Sequence, residues 1–236
     1  MDNFNQRTRI LIKDEGIKKL QNSHVLLAGL GGVGGICAHM LARASVGQLT
    51  IIDFDKVDIT NINRQIVAYH STIGLHKTEV LKKQLLDINP DIKLKLITER
   101  LTEQNIEAIL KDAKPHYVID AIDDVPAKVA LIKTANLLAE KTLLGLQIIS
   151  SMGAGKRVKN PNFQVTDIYK TKNDPLAKIV RSKLRQAGVK KLKVVASEQP
   201  ALEQETPKPV GSISYAPNLA GALLAAEVIN DLLISP

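Results

Sequence analysis

Between residues 24 and 35 the chain reads His-Val-Leu-Leu-Ala-Gly-Leu-Gly-Gly-Val-Gly-Gly, with Gly29, Gly31 and Gly34 at the G-x-G-x-x-G spacing and Gly32 as a fourth glycine. Glycines so placed let the backbone turn tightly and come close to a phosphate at a helix N-terminus. The first amides there lack intrahelical partners and favour an anion. On its own the loop serves close packing equally well. It gains meaning from Asp53, which ends a second apolar stretch about 20 residues further on, where a ribose hydroxyl would be met. The two features together predict a nucleotide site without specifying a dinucleotide.

The run Asp53-Phe-Asp55-Lys-Val-Asp58-Ile-Thr-Asn61-Ile-Asn63-Arg64-Gln65 is dense in groups that bind sugar hydroxyls, phosphate and metal. Arg64 offers a planar fork for phosphate oxygens and Lys77 a point charge, and two cations suit a triphosphate; the alternative is a solvated surface pair. A later stretch, Tyr117-Val-Ile-Asp120-Ala-Ile-Asp123-Asp124, brings further acids to the end of a strand. Mg²⁺ takes a carboxylate or two and completes its shell with phosphates and water, which makes Asp123 the metal candidate. The competing role for Asp123 is N-cap of the helix from Val125, which Asp124 is also placed to fill.

These groups need a scaffold, and the hydrophobic pattern supplies one. Strands are predicted at 25–28, 49–53, 93–97, 117–121 and 142–149, alternating with helices at 33–44, 75–87, 103–111 and 126–139. Such alternation predicts an α/β fold with a doubly wound, mostly parallel, Rossmann-like sheet, whose ligands lie beyond the carboxyl ends of the strands. Residues 1–23, with Phe4, Arg7, Arg9 and a helix ending near Leu20, read as an N-terminal arm, and 24–150 as the nucleotide-binding region. Residues 151–236 read as a basic substrate-binding and C-terminal helical region of the same domain. Strands are expected there at 163–169 and 192–197 and helices at 175–187 and 217–233, with a mobile loop over 198–211. The last helix suits either a sheet cover or a subunit interface.

The formal net charge of +8 is concentrated: Lys156 to Lys193 holds twelve Lys and Arg against Asp167 and Asp174, hence +10, which leaves −2 for the rest. That asymmetry suggests a polyanionic partner. On the helix from Pro175, Lys178, Arg181 and Arg185 recur at spacings of three and four, a stripe able to follow nucleic-acid phosphates or simply to face water. The single cysteine, Cys37, excludes an internal disulfide and a multi-cysteine zinc cage, and reads as a small buried residue. No apolar run approaches the roughly 18 residues of a membrane span and no secretory signal is seen, so a soluble cytoplasmic protein is expected.

In their order, Gly29-Leu-Gly-Gly-Val-Gly34, Asp53-Phe-Asp55, Asn61-Ile-Asn-Arg-Gln65, Lys77, Ile88-Asn-Pro90 and Asp120-Ala-Ile-Asp123 resemble the adenylating superfamily of ubiquitin-activating, MoeB-like and ThiF-like enzymes. In the second half, Ser150-Ser-Met-Gly-Ala-Gly155, Val165-Thr-Asp-Ile168, Asp174-Pro-Leu176, Val180-Arg-Ser-Lys-Leu-Arg185 and Gly211-Ser212 look like its tRNA threonylcarbamoyladenosine dehydratase branch. The resemblance runs from about Phe4 to Leu233.

It implies ATP with Mg²⁺, adenylation of the carboxylate of threonylcarbamoyladenosine at position 37 of tRNA, and closure of a ring with net loss of water. Carried over by position, Gly31 and Asp53 or Asp55 would hold the nucleotide, Asn63, Arg64 and Lys77 would act on the phosphates, and Asp123 would hold the metal. Arg7, or else Arg9, would reach the partner site of a homodimer. A sulfur-relay protein is a further partner the resemblance allows. The alternative within the superfamily is adenylation of the C-terminus of a ubiquitin-like sulfur carrier, against which the missing zinc cysteines and the basic second half both count. Intramolecular ring closure needs no enzyme thiol, in keeping with one cysteine.

Overall fold

The computed structural model describes residues 4–142, 145–159, 161–206 and 209–234. Its strands are β1 His24–Ala28, β2 Gln48–Ile52, β3 Lys93–Ile97, β4 Tyr117–Asp120, β5 Gln147–Ser151, β6 Phe163–Asp167 and β7 Lys193–Ser197. They form one seven-stranded sheet in the order β3-β2-β1-β4-β5-β7-β6, parallel except for the β6–β7 edge pair. The helices are α1 Gln6–Gln21, α2 Gly34–Arg43, α3 Lys77–Ile88, α4 Ile106–Ala113, α5 Val125–Thr142, α6 Pro175–Gln186 and α7 Ala216–Ile234.

The central strand shows why both faces are covered. All five residues of β1 are buried, and successive side chains point to opposite faces. Val25 and Leu27 join Cys37 and Leu41 of α2, Leu81 and Leu85 of α3 and Leu224 and Val228 of α7, whereas Leu26 and Ala28 join Ile106 and Leu110 of α4 and Leu131 and Ala135 of α5. Strand order reverses between β1 and β4, so the loops leaving their carboxyl ends part and open a crevice there.

The observed elements correct several expectations. The strand expected over 142–149 opens only at Gln147, because α5 continues through Thr142; 143 and 144 lie outside the described residues. The strand from Phe163 stops at Asp167, whose carboxylate accepts from Tyr169 N–H at 2.8 Å and starts a 3-10 turn. The N-terminal arm has two parts. Lys13, at φ 60° and ψ −179°, interrupts α1; beyond it Gly16, Ile17 and Leu20 are buried, while Ile10 and Leu11 before it are 76% and 82% exposed.

The final helix covers the sheet, and so closely that a Cβ on Gly221 would lie 2.2 Å from Val33 O of the α2 entry. By length and composition α7 could cross a membrane, contrary to the expectation that no segment could. Its acids explain its place here: Glu227 and Asp231 pair with Lys193 of β7 at 2.7 Å each, and Asp231 accepts from the Tyr117 hydroxyl at 2.7 Å. The C-terminal region is therefore basic only through residues 156–193, since α7 carries no Lys or Arg.

The loop expected to be mobile is knitted together by Gln204, which donates to the carbonyls of Thr206 and Pro209 and accepts from Gly211 N–H. Leu202 N–H and Gly211 O hold it to the backbone of Lys156 at 2.8 Å each. Pro207 and Lys208 of that loop lie outside the described residues.

Candidate active site

The crevice beyond β1 and β4 opens into a cavity of about 780 Å³ with two walls. One is built by the glycine loop, Asp53 to Gln65, Lys77 and Ala121 to Asp124; the other by Ser151 to Arg157, Asp174 to Leu176, Ala201, Val210 and Ser212.

The glycines of the first wall divide by task. Gly29 sits at φ +88°, and a Cβ there would lie 2.6 Å from Ala121 O; one on Gly34 would lie 1.8 Å from Gly29 O. These two permit the turn and the seating of α2. Gly32 packs on Pro217 of α7. Gly31 differs, because a Cβ there would meet only Gln65 Nε2, at 3.8 Å. Packing does not account for Gly31, and it lines the open cavity at the N-terminal end of α2.

Asp53 is committed to the scaffold. Its two oxygens accept from Leu30 N–H at 2.7 Å and Asp55 N–H at 2.8 Å, tying the glycine loop to the end of β2. Burial pushes its carboxyl above the usual range, opposed by the nearby Lys77 ammonium and by those two amides. Of the two acids proposed for the nucleotide, Asp55 is the more accessible, with a side chain 48% exposed and paired to Lys77 Nζ at 2.9 Å. Lys77 is only 5% exposed, and its charge is aimed at this one carboxylate on the cavity wall.

Arg64 lines the cavity, held by Nη1 bonds to Thr60 O at 2.9 Å and Asn63 Oδ1 at 2.8 Å. Asn63, expected on the phosphates, donates its amide to Ser212 O at 3.0 Å and accepts from Arg64 through Oδ1, which orients that guanidinium, while Asn61 lines the wall. Buried Gln65 lines the wall with an Oε1 that has no partner. Asp58 and Asn61 exchange capping bonds that fix the turn carrying all four.

At the end of β4 the acids separate. Asp120 is fully buried and pairs with the equally buried Lys128 at 2.7 Å, and Lys128 also donates to Ser150 Oγ and Ser151 O, which locks β4 and β5 beneath the cavity. Asp124 accepts from Ala127 N–H at 3.1 Å and takes the helix cap. Asp123 is exposed to the cavity and free of hydrogen bonds and ion pairs among the described residues. No cluster of three metal-ligating side chains exists among the described residues, so a cation here needs ligand oxygens from a bound phosphate. An orphan carboxylate, an orphan amide oxygen, a buried ammonium and an uncrowded glycine at a helix start form a donor set that fits a nucleoside polyphosphate with Mg²⁺.

The remaining expected residues lie elsewhere. Among the described residues Arg7 is exposed without an ion pair, whereas Arg9 is held by Asp14 and Asn5. Along α6 the stripe is uneven. Lys178 is exposed, Arg185 lies 5.5 Å from the Tyr169 ring, and Arg181 spends Nη1 on Thr171 O at 3.0 Å and Thr171 Oγ1 at 2.6 Å. Arg181 is thus in part a structural clamp on the turn before α6. Lys183 joins Lys178 along an outer groove. Sequence reasoning missed buried Lys128 beneath the cavity, and at the cavity Arg157 and the Arg100–Phe54 stack, 4.2 Å apart. A lysine one turn into an apolar helix after a strand-end acid was the available sign for Lys128.

The chain is 37% identical to tRNA threonylcarbamoyladenosine dehydratase of Bacillus subtilis, over 96% of this chain and 93% of that protein. It superposes on the crystal structure of E. coli tRNA N6-threonylcarbamoyladenosine dehydratase in complex with AMP with a TM-score of 0.89 at 28% identity, covering 99% of this chain and 96% of that one. The ATP complex of the same E. coli enzyme gives a TM-score of 0.84 at 28% identity, over 98% and 96%. The ThiF family model matches residues 5–233, and the chain belongs to the ThiF family.

Proposed function

We propose that this protein is an ATP-dependent adenylating enzyme acting on tRNA, which activates the carboxylate of threonylcarbamoyladenosine at position 37 and closes it into a ring with net loss of one water. The observation that carries this reading is the length of the correspondence with the Bacillus enzyme, 96% of one chain and 93% of the other. It takes in both walls of the cavity, not the glycine loop alone.

In this reading the phosphates lie at the start of α2 beside Gly31. Lys77 and Arg64 offset their charge, and Asp55 lies within reach of the sugar. Asp123 and the phosphate oxygens would hold Mg²⁺, which when bound neutralises charge on the triphosphate. A carboxylate oxygen attacks the α-phosphorus and pyrophosphate leaves. A nucleophile within the same threonylcarbamoyl group then attacks the activated carbonyl and releases AMP, at the high effective molarity of a tethered reaction. Cys37 is fully buried and burial pushes its thiol far up, which agrees with a route that forms no enzyme thioester.

The exposed faces of Lys178, Lys183 and Arg185 supply a docking surface for tRNA phosphates. A homodimer, with Arg7 acting across it, is supported by the exposed Phe4, Ile10 and Leu11 around that residue, and the resemblance adds a sulfur-relay protein. Nucleoside mass spectrometry of threonylcarbamoyl-modified tRNA incubated with protein, ATP and Mg²⁺ tests the reading. Loss of one water, absent with Asp123→Ala, is expected. An unchanged nucleoside mass with ATP-binding protein overturns it, and carrier-dependent ATP–pyrophosphate exchange would then point to the sulfur-carrier alternative.

A further inference from the structure

Arg157, in the second cavity wall, is 1% exposed, yet it is poorly partnered. Its Nε lies 3.4 Å from Gly153 O, its Nη2 3.4 Å from Asn173 O and 3.5 Å from Asp174 Oδ2, and its Nη1 has no partner among the described residues. Charge-assisted bonds run about 2.7–2.9 Å, so all three contacts are at the far limit of interaction. Asp174 compensates only in part. Its oxygens accept from Gly153 N–H and Ala177 N–H at 2.9 Å each, which caps α6 and leaves the guanidinium only a loose, end-on neighbour.

A buried cation in this condition is costly, and burial pushes its pKa down. Elsewhere in the chain a guanidinium that serves structure is tightly held, as Arg181 is by Thr171 Oγ1 at 2.6 Å. Arg157 lines the cavity, and a planar fork with a buried donor left unpaired among the described residues is matched by an oxyanion seated against that wall. The phosphates have Lys77, Arg64 and the α2 amides on the facing wall. On Arg157's own wall the cations are Lys156 and Arg157, of which only Arg157 is buried.

We propose that Arg157 binds the carboxylate of the substrate and presents it for activation. The assignment rests on the carboxylate-activating reading above and adds the residue that recognises the reacting group. A guanidinium meets a carboxylate with two parallel bonds, which fixes both oxygens before one of them attacks.

The test compares binding of two tRNAs, one carrying threonylcarbamoyladenosine and one lacking the threonylcarbamoyl group, to the wild-type protein, Arg157→Gln and Arg157→Lys, with ATP affinity and product formation measured alongside. Wild type is expected to prefer the modified tRNA. Arg157→Gln should bind both tRNAs equally and lose roughly 10- to 100-fold in kcat/KM for the modified tRNA, the range of one hydrogen bond to a charged group, while its ATP affinity is unchanged. Arg157→Lys should keep part of the preference. A structural role alone would not move the preference.

Weaker ATP binding with the preference intact would assign Arg157 to phosphate and overturn the carboxylate assignment. Should Arg157→Gln not fold, Arg157→Lys decides: a reduced preference supports the assignment and a wild-type preference overturns it. Product from wild type together with an unaltered Arg157→Gln overturns this assignment alone. No product from wild type overturns the reading of the whole site and the assignment with it.

Discussion

The two walls of the cavity are held by different kinds of force. On the nucleotide wall the constraints are backbone constraints: Gly29 and Gly34 are positions where a Cβ has no room, and Asp53 ties two loops through their amides. On the substrate wall the constraints are side-chain bonds that hold loops, such as Asp174 to Gly153 and Gln204 around its own loop. Backbone constraints force particular residue types at fixed spacing. Side-chain constraints of this kind leave more sequences acceptable.

The junction between the walls should show the largest effect. Lys128→Met leaves Asp120 buried without its cation and should cost about 3–5 kcal/mol, read as a drop in Tm, since removing one partner of a buried pair strands the other. Within the nucleotide wall, Gly34→Ala should cost about 3 kcal/mol by overpacking against Gly29 O. Gly31→Ala should leave stability unchanged and weaken ATP binding, which separates a scaffold glycine from one reserved for ligand.

On the substrate side, Arg181→Ala should lower stability by about 1.5–3 kcal/mol through its lost bonds to Thr171. Arg185→Ala should leave stability nearly unchanged and reduce the salt dependence of tRNA binding by about one phosphate. Equal effects of the two would erase the distinction drawn along α6.

The smallest effect lies outside both walls. Burial depresses His24, aided by neighbouring His116, and burial also depresses His39. The unfolded chain then binds more protons as the pH falls below the ordinary imidazole value of 6.5, so stability should fall from that pH downward until the folded-state histidines also titrate. A pH series of denaturant midpoints checks this, and His24→Gln should flatten it.

The same contrast explains what could be read from the residues. The order of strands and helices was legible because apolar periodicity carries it, and the glycine spacing marked the turn into α2, whereas Asp53, read as meeting a ribose hydroxyl, ties the glycine loop to the end of β2. That Asp124 and not Asp123 caps α5 was legible as one of two options. The bonds of Asn63 to Ser212 O and Arg64 were not legible, because the turn's hydrogen bonds decide which asparagine lines the cavity. Arg157 was hidden within a basic run of twelve cations, where nothing local marks the one that folds inward. The end of α5 was lost because a short apolar run fits helix and strand alike.

The central claim, that a substrate carboxylate held by one wall attacks a nucleotide held by the other, is tested most directly by labelling the threonylcarbamoyl carboxylate of the tRNA with ¹⁸O and following the label through one turnover. Adenylation predicts one labelled oxygen in the released AMP, because the attacking oxygen leaves with the α-phosphorus when the ring closes. Label in inorganic phosphate, with ADP as the nucleotide product, would contradict it.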